Sequence, residues 1–93
     1  MRLKEFQKMI HEIYYARDSA RGVERTMLWL MEEVGELAEA VRKGEEIGEE
    51  VADVIAWVTS IANLYDVEIE EELSKKYPGI CIRCGKKPCR CDE

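Results

Sequence analysis

Apolar side chains recur along this chain at intervals of three and four, with charged residues between them, and that period is helical. Leu3, Phe6, Ile10, Ile13 and Tyr14 share one face while Lys4, Glu5, Lys8 and Glu12 occupy others, which predicts an amphipathic helix over residues 2–17. Asp18 to Gly22 supplies turn residues. A second helix is expected from Glu24 to Lys43, ended by Gly44, with Arg42 and Lys43 in the last turn where the helix dipole favours cations. A third should run from Glu46 to Leu64 with Val51, Val54, Ile55, Val58 and Ala62 on one stripe, and a short fourth from Glu68 to Tyr77 presents Ile69 and Leu73. Pro78-Gly79 stops it. No strand alternation, internal repeat or low-complexity tract interrupts this all-α reading.

The second helix is apolar over a wide arc: Leu30, Val34, Leu37 and Val41 on one stripe, Met27, Met31 and Ala38 on the next. Such a helix is buried on two sides, inside the monomer or at a subunit interface. A helical domain over residues 1–78 has too little chain to cover it, so the interface is favoured. Residues 79–93 form a separate cysteine-rich segment.

Candidate chemistry lies on the middle two helices. Glu33 and Glu36 stand three apart, as do Glu50 and Asp53, so each pair is a close acidic couple on its helix surface. If Leu30, Val34, Leu37 and Val41 pack on Val51, Val54, Ile55 and Val58 as an antiparallel hairpin, the pairs face each other at the flank of the seam. Like charges at that range call for a cation, and hard oxygen ligands suit magnesium, or manganese. Glu32 points about 100° away from Glu33 and reads as a supporting or ion-pairing residue. Trp29 and Trp57 lie one turn from the acidic pairs and are candidates for contact with a nucleobase.

Taken one at a time, these glutamates would read as solvated surface charge, since the chain has 20 acidic and 14 basic residues. Its net charge of -6 argues against stable nucleic-acid binding and against an anionic membrane surface. An acidic protein that handles phosphates needs a cation between them. No apolar run is long enough to span a bilayer and the first residues lack a signal peptide's apolar stretch, so a cytoplasmic location is expected.

The pattern Glu32, Glu33, Glu36, then Glu50 and Asp53 on the next helix, within the stretch from Met31 to Val58, resembles that of the MazG-type all-alpha nucleoside triphosphate pyrophosphohydrolases. The resemblance covers residues 3–77. It implies a four-helix fold whose subunits pair into four-helix bundles as homodimers or homotetramers, and magnesium-dependent cleavage of a nucleoside triphosphate between its alpha and beta phosphates. By the same resemblance Glu33, Glu36, Glu50 and Asp53 are the metal ligands; Glu33 and Glu36 are the candidates to orient or deprotonate the attacking water. Lys75 and Lys76, or Arg21 and Arg25, are candidates for the outer phosphates. The rival class is a helical binding module that contacts a partner through its cysteines.

All four cysteines, Cys81, Cys84, Cys89 and Cys91, fall within eleven residues. Four thiolates there can meet the tetrahedral demand of zinc, with Gly85 and Pro88 turning the chain back. The tight Cys89-Arg90-Cys91 spacing leaves disulfides and a redox-active tail open as alternatives.

Overall fold

The computed structural model describes residues 1–92; Glu93, the last residue of the cysteine-rich segment, lies outside them. Four helices follow one another: α1 (Leu3–Arg21), α2 (Val23–Lys43), α3 (Gly48–Leu64) and α4 (Ile69–Lys76). Among the described residues there is no strand. α3 packs against both α1 and α2, and α4 rests on α1.

The first helix does not stop at the expected turn. α1 runs on to Arg21 because the polar residues there find partners inside the helix: the Arg21 guanidinium donates to the Asp18 carboxylate at 2.8 Å. Only Gly22 turns the chain, with φ 91 and ψ 155, a conformation that is strained for any residue with a Cβ. At the other end of α2 the N–H of Glu45 returns to the Ala40 carbonyl at 2.9 Å and that of Gly44 to Val41 at 3.2 Å. This left-handed closure, with Gly44 at φ 71, reverses the chain in the few residues before α3.

The single glutamine and single asparagine of the chain bond each other. Gln7 Nε2 donates to Asn63 Oδ1 at 3.0 Å and to the Val67 carbonyl at 2.7 Å, while its Oε1 accepts the Ile69 N–H at 2.9 Å. One amide thereby ties α1 to the end of α3 and caps the start of α4. Gln7→Ala orphans all three groups and should cost about 1–3 kcal/mol, read as a lower urea midpoint at unchanged m-value.

The interior is small. Ile10, Leu30 and Ala40 are the buried apolar residues, beside buried Asp18, Thr26, Thr59, Ser60 and Asn63. The expected seam is only partly internal: Leu30 is buried and Leu37 and Val54 half-buried, but Val34, Val41, Val51, Ile55 and Val58 are exposed. α2 turns Thr26, Leu30, Glu33, Leu37 and Ala40 inward instead, which leaves the neighbouring stripe of Met27, Met31, Val34 and Val41 on the outside. The chain exposes 7441 Å², against roughly 5,500 Å² for a compact monomer of this mass. Its radius of gyration is 15.7 Å, against roughly 12 Å for this length.

Candidate functional site

The inward stripe of α2 carries a carboxylate in its middle. Glu33 sits one turn from Leu30 and one from Leu37, half-buried at the contact with α3, and its Oε2 is buried without a hydrogen-bond partner. Burial is the main reason that its carboxyl is held above the usual carboxylate range, and a shared hydrogen bond and the charge of Glu36 add to it. The Asp53 charge, reaching across from α3, pushes the same way, while the Trp57 indole opposes. Of the four expected ligands only Glu33 lies inside the seam; Glu36 and Asp53, both exposed, act on it from the flank. Glu50 is half-buried one turn before Asp53, but it is not among the groups acting on Glu33. Glu32 is exposed.

Hard oxygen donors, mutual repulsion and an orphaned buried oxygen form a donor set that a divalent cation such as magnesium would satisfy. The donor chemistry suits that ion, although among the described residues no three of these carboxylates bring their oxygens together.

The indoles are arranged differently from the expectation of open stacking faces. Trp29 and Trp57 meet edge to face, centroids 5.5 Å apart, and the Arg21 guanidinium lies over both rings at 4.5 and 5.1 Å. Arg21 is therefore no free surface cation: its side chain is 15% exposed, pairs with Asp18 and also donates to the Thr26 hydroxyl at 3.2 Å. Beside this group lies a recess of about 300 Å³ lined by Tyr14, Asp18, Arg21, Trp29, Asp53 and Trp57, among others. Sequence reasoning passed over Asp18 and Ser60, which also lines the recess. The available signal was the i, i+3 spacing of Asp18 and Arg21.

Arg25 is exposed on α2. Lys75 is engaged by Glu71 at 3.5 Å and Glu72 at 3.6 Å, whose charges hold its ammonium above the usual lysine range, Glu72 most. Lys76 lies 5.7 Å from the Tyr77 ring. Neither lysine lines the recess beside Asp53. A larger open groove of about 600 Å³, lined by Lys4, Gln7, His11 and Asn63 among others, contains no residue of the acidic motif.

The cysteines gather apart from the carboxylates. Their four Sγ atoms lie within 4.8 Å of one another, the one such cluster of three or more ligand side chains among the described residues. Backbone N–H groups near Cys81 lower its thiol to about 6 and others lower Cys84, whereas the neighbouring sulfurs, Cys89 first, push Cys91 up to about 11. Thiols so close can hold a metal ion.

A family model described as the MazG nucleotide pyrophosphohydrolase domain matches residues 21–79. That span takes in α2, α3 and α4 with Glu32, Glu33, Glu36, Glu50, Asp53 and both indoles, leaves out Asp18, and ends before the first cysteine. No curated protein matches the chain.

Proposed function

The chain belongs to the MazG nucleotide pyrophosphohydrolase domain family, and from that premise we propose that it hydrolyses nucleoside triphosphates between the alpha and beta phosphates, releasing a nucleoside monophosphate and pyrophosphate. The observation that carries this reading is Glu33: a carboxylate on the buried stripe, oxygen unpartnered, pressed by Glu36 and Asp53. A merely structural helix gains nothing from placing repelling acids there.

Glu33, Glu36, Glu50 and Asp53 would hold magnesium, with manganese as a substitute. When bound, the ion offsets triphosphate charge and lowers the energy of in-line attack by water. Glu33 and Glu36 orient that water. Glu33, whose desolvated carboxyl is held above the usual carboxylate range, is assigned to accept its proton. Trp29 and Trp57 border the recess in which the base is placed, beside Asp53, with the planar Arg21 guanidinium as its neighbour. Lys75 and Lys76 keep a phosphate role only if a second subunit brings them near the site.

The apolar outer stripes of α2 and α3 are assigned to subunit pairing, as a dimer or a tetramer. Among the described residues no helix is long and apolar enough to cross a membrane. A cytoplasmic role in clearing surplus or non-standard nucleotides agrees with the acidic charge and clustered cysteines.

The test is a panel of ribo- and deoxyribonucleoside triphosphates incubated with the full chain, with and without magnesium. Monophosphate and pyrophosphate should appear in equal amounts and only with the metal. Orthophosphate as the product, or no product across the panel, would overturn the proposal and leave the binding-module reading.

A further inference from the structure

The cysteine cluster lies outside both the family match and the proposed reaction, and its geometry assigns it a different task. We propose that Cys81, Cys84, Cys89 and Cys91 form a closed structural zinc site, one ion per chain, which holds residues 79–92 in shape and takes no part in hydrolysis.

Residues 79–92 contain no helix or strand and no buried residue. The backbone bonds that shape the segment stay within it: Cys81 N–H to the Lys86 carbonyl and Gly85 N–H to the Cys81 carbonyl, both 2.9 Å. A stretch with so few internal bonds and no core has no reason to draw four thiols together unless a cross-link rewards it. The candidates are disulfides and a metal ion.

Distances separate them. Sulfurs placed about 2.3 Å from a central ion at tetrahedral corners are about 3.8 Å apart, whereas a disulfide needs about 2.05 Å. Cys81 and Cys91 stand at 3.7 Å, and all four sulfurs lie within 4.8 Å of one another. One pair stands at the tetrahedral separation, and all four sulfurs are near enough for a single ion to draw together.

Three of the four sulfurs accept backbone N–H groups: Arg83 to Cys81 at 3.4 Å, Arg90 to Cys84 at 3.3 Å and Cys91 to Cys89 at 3.3 Å. Such donors stabilise coordinated sulfur and fix its direction. Gly85, at φ 71, lets the chain double back directly after Cys84. Four thiolates around a divalent ion leave two negative charges, and Arg83, Lys86, Lys87 and Arg90 are interleaved to offset them. Loading needs no oxidant: each thiol loses its proton to solvent as its sulfur donates a lone pair to the ion.

Soft thiolates and hard carboxylates prefer different metals, so zinc and magnesium should partition between the two places. With four protein ligands the tetrahedron is full and offers no open position for substrate or water.

The experiment uses the full chain purified under reducing conditions. Elemental analysis should find one zinc per chain, and cobalt(II) added to metal-free protein should give the visible bands of a tetrahedral sulfur site, bleached by zinc. The double substitution Cys81→Ser and Cys84→Ser should abolish bound zinc while helical circular dichroism and magnesium-dependent pyrophosphate release persist. If that variant fails to fold, chelating zinc from the unmodified chain provides the same contrast: amide signals of residues 79–92 should collapse while those of α1 to α4 stay. No stoichiometric metal, iron in place of zinc, or two disulfides found by mass spectrometry would overturn the site. Loss of hydrolysis in a variant with intact helices would overturn its separation from catalysis. An unmodified chain that binds zinc but turns over no nucleotide would refute the proposed function and leave the zinc site standing.

Discussion

Glu36→Gln and Asp53→Asn should each cut magnesium-dependent pyrophosphate release by roughly a thousandfold, since changing a residue that only orients a metal ligand already costs about 10–100-fold. Both substitutions keep side-chain shape and remove a negative charge that presses on Glu33. In the metal-free protein they therefore relieve repulsion, and the variants should melt at or above the unmodified temperature. Magnesium should raise the melting temperature of the unmodified chain, by preferential binding to the folded state, but not that of either variant. Glu39→Gln is the control. Glu39 is an exposed partner of Arg42 and Lys43 on the same helix, and its neutralisation should change neither turnover nor the magnesium response. Near-normal turnover of both site variants at limiting magnesium would remove these carboxylates from the mechanism.

Light scattering at micromolar concentration should find at least a dimer, and Val58→Glu should convert it to a monomer. Leu28 is 64% exposed, Val41 60%, Met31 52% and Ile55 47%, a density of uncovered large apolar side chains that a soluble monomer of this size rarely carries. The excess over the surface of a compact monomer is roughly 2,000 Å² per chain, or about 4,000 Å² for a pair, the scale of an obligate homodimer interface. In a twofold interface each substitution occurs twice, so a buried glutamate at Val58 acts on both subunits. With a hot-spot cost of about 2 kcal/mol or more per site, the dissociation constant should rise by roughly a thousandfold. The melting temperature should fall by roughly 10 °C or more, because helices with so small an interior depend on the partner for cover. An unmodified chain that runs as a clean monomer defeats the assembly.

Where the two levels of description part is visible at Asp18. As local chemistry, an Asp-Ser-Ala-Arg-Gly stretch signals a turn, yet four of those residues continue α1, because Arg21 pairs with one oxygen of Asp18, whose other oxygen stays buried without a partner, and the two indoles cover Arg21. Arg21 lies within that stretch, but the indoles that cover it stand on α2 and α3. Gln7 and Asn63 pose the same problem: in the chain they are one polar residue on each of two helices, and only the fold makes them a latch.

By itself the sequence determined the helices, their order, and the pairing of acids three apart, because helical periodicity ties each side chain's direction to its position. It also placed the cysteines close enough to meet. Only the tertiary structure decided which of two adjacent apolar stripes on α2 faces inward. Both stripes are hydrophobic enough to be buried, and the choice rests on packing against α1 and α3 together. That choice puts Glu33 inside the seam and leaves Met31, Val34 and Val41 outside. A rotation of one position around the helix therefore separates a solvated glutamate from a desolvated one with an unpartnered oxygen.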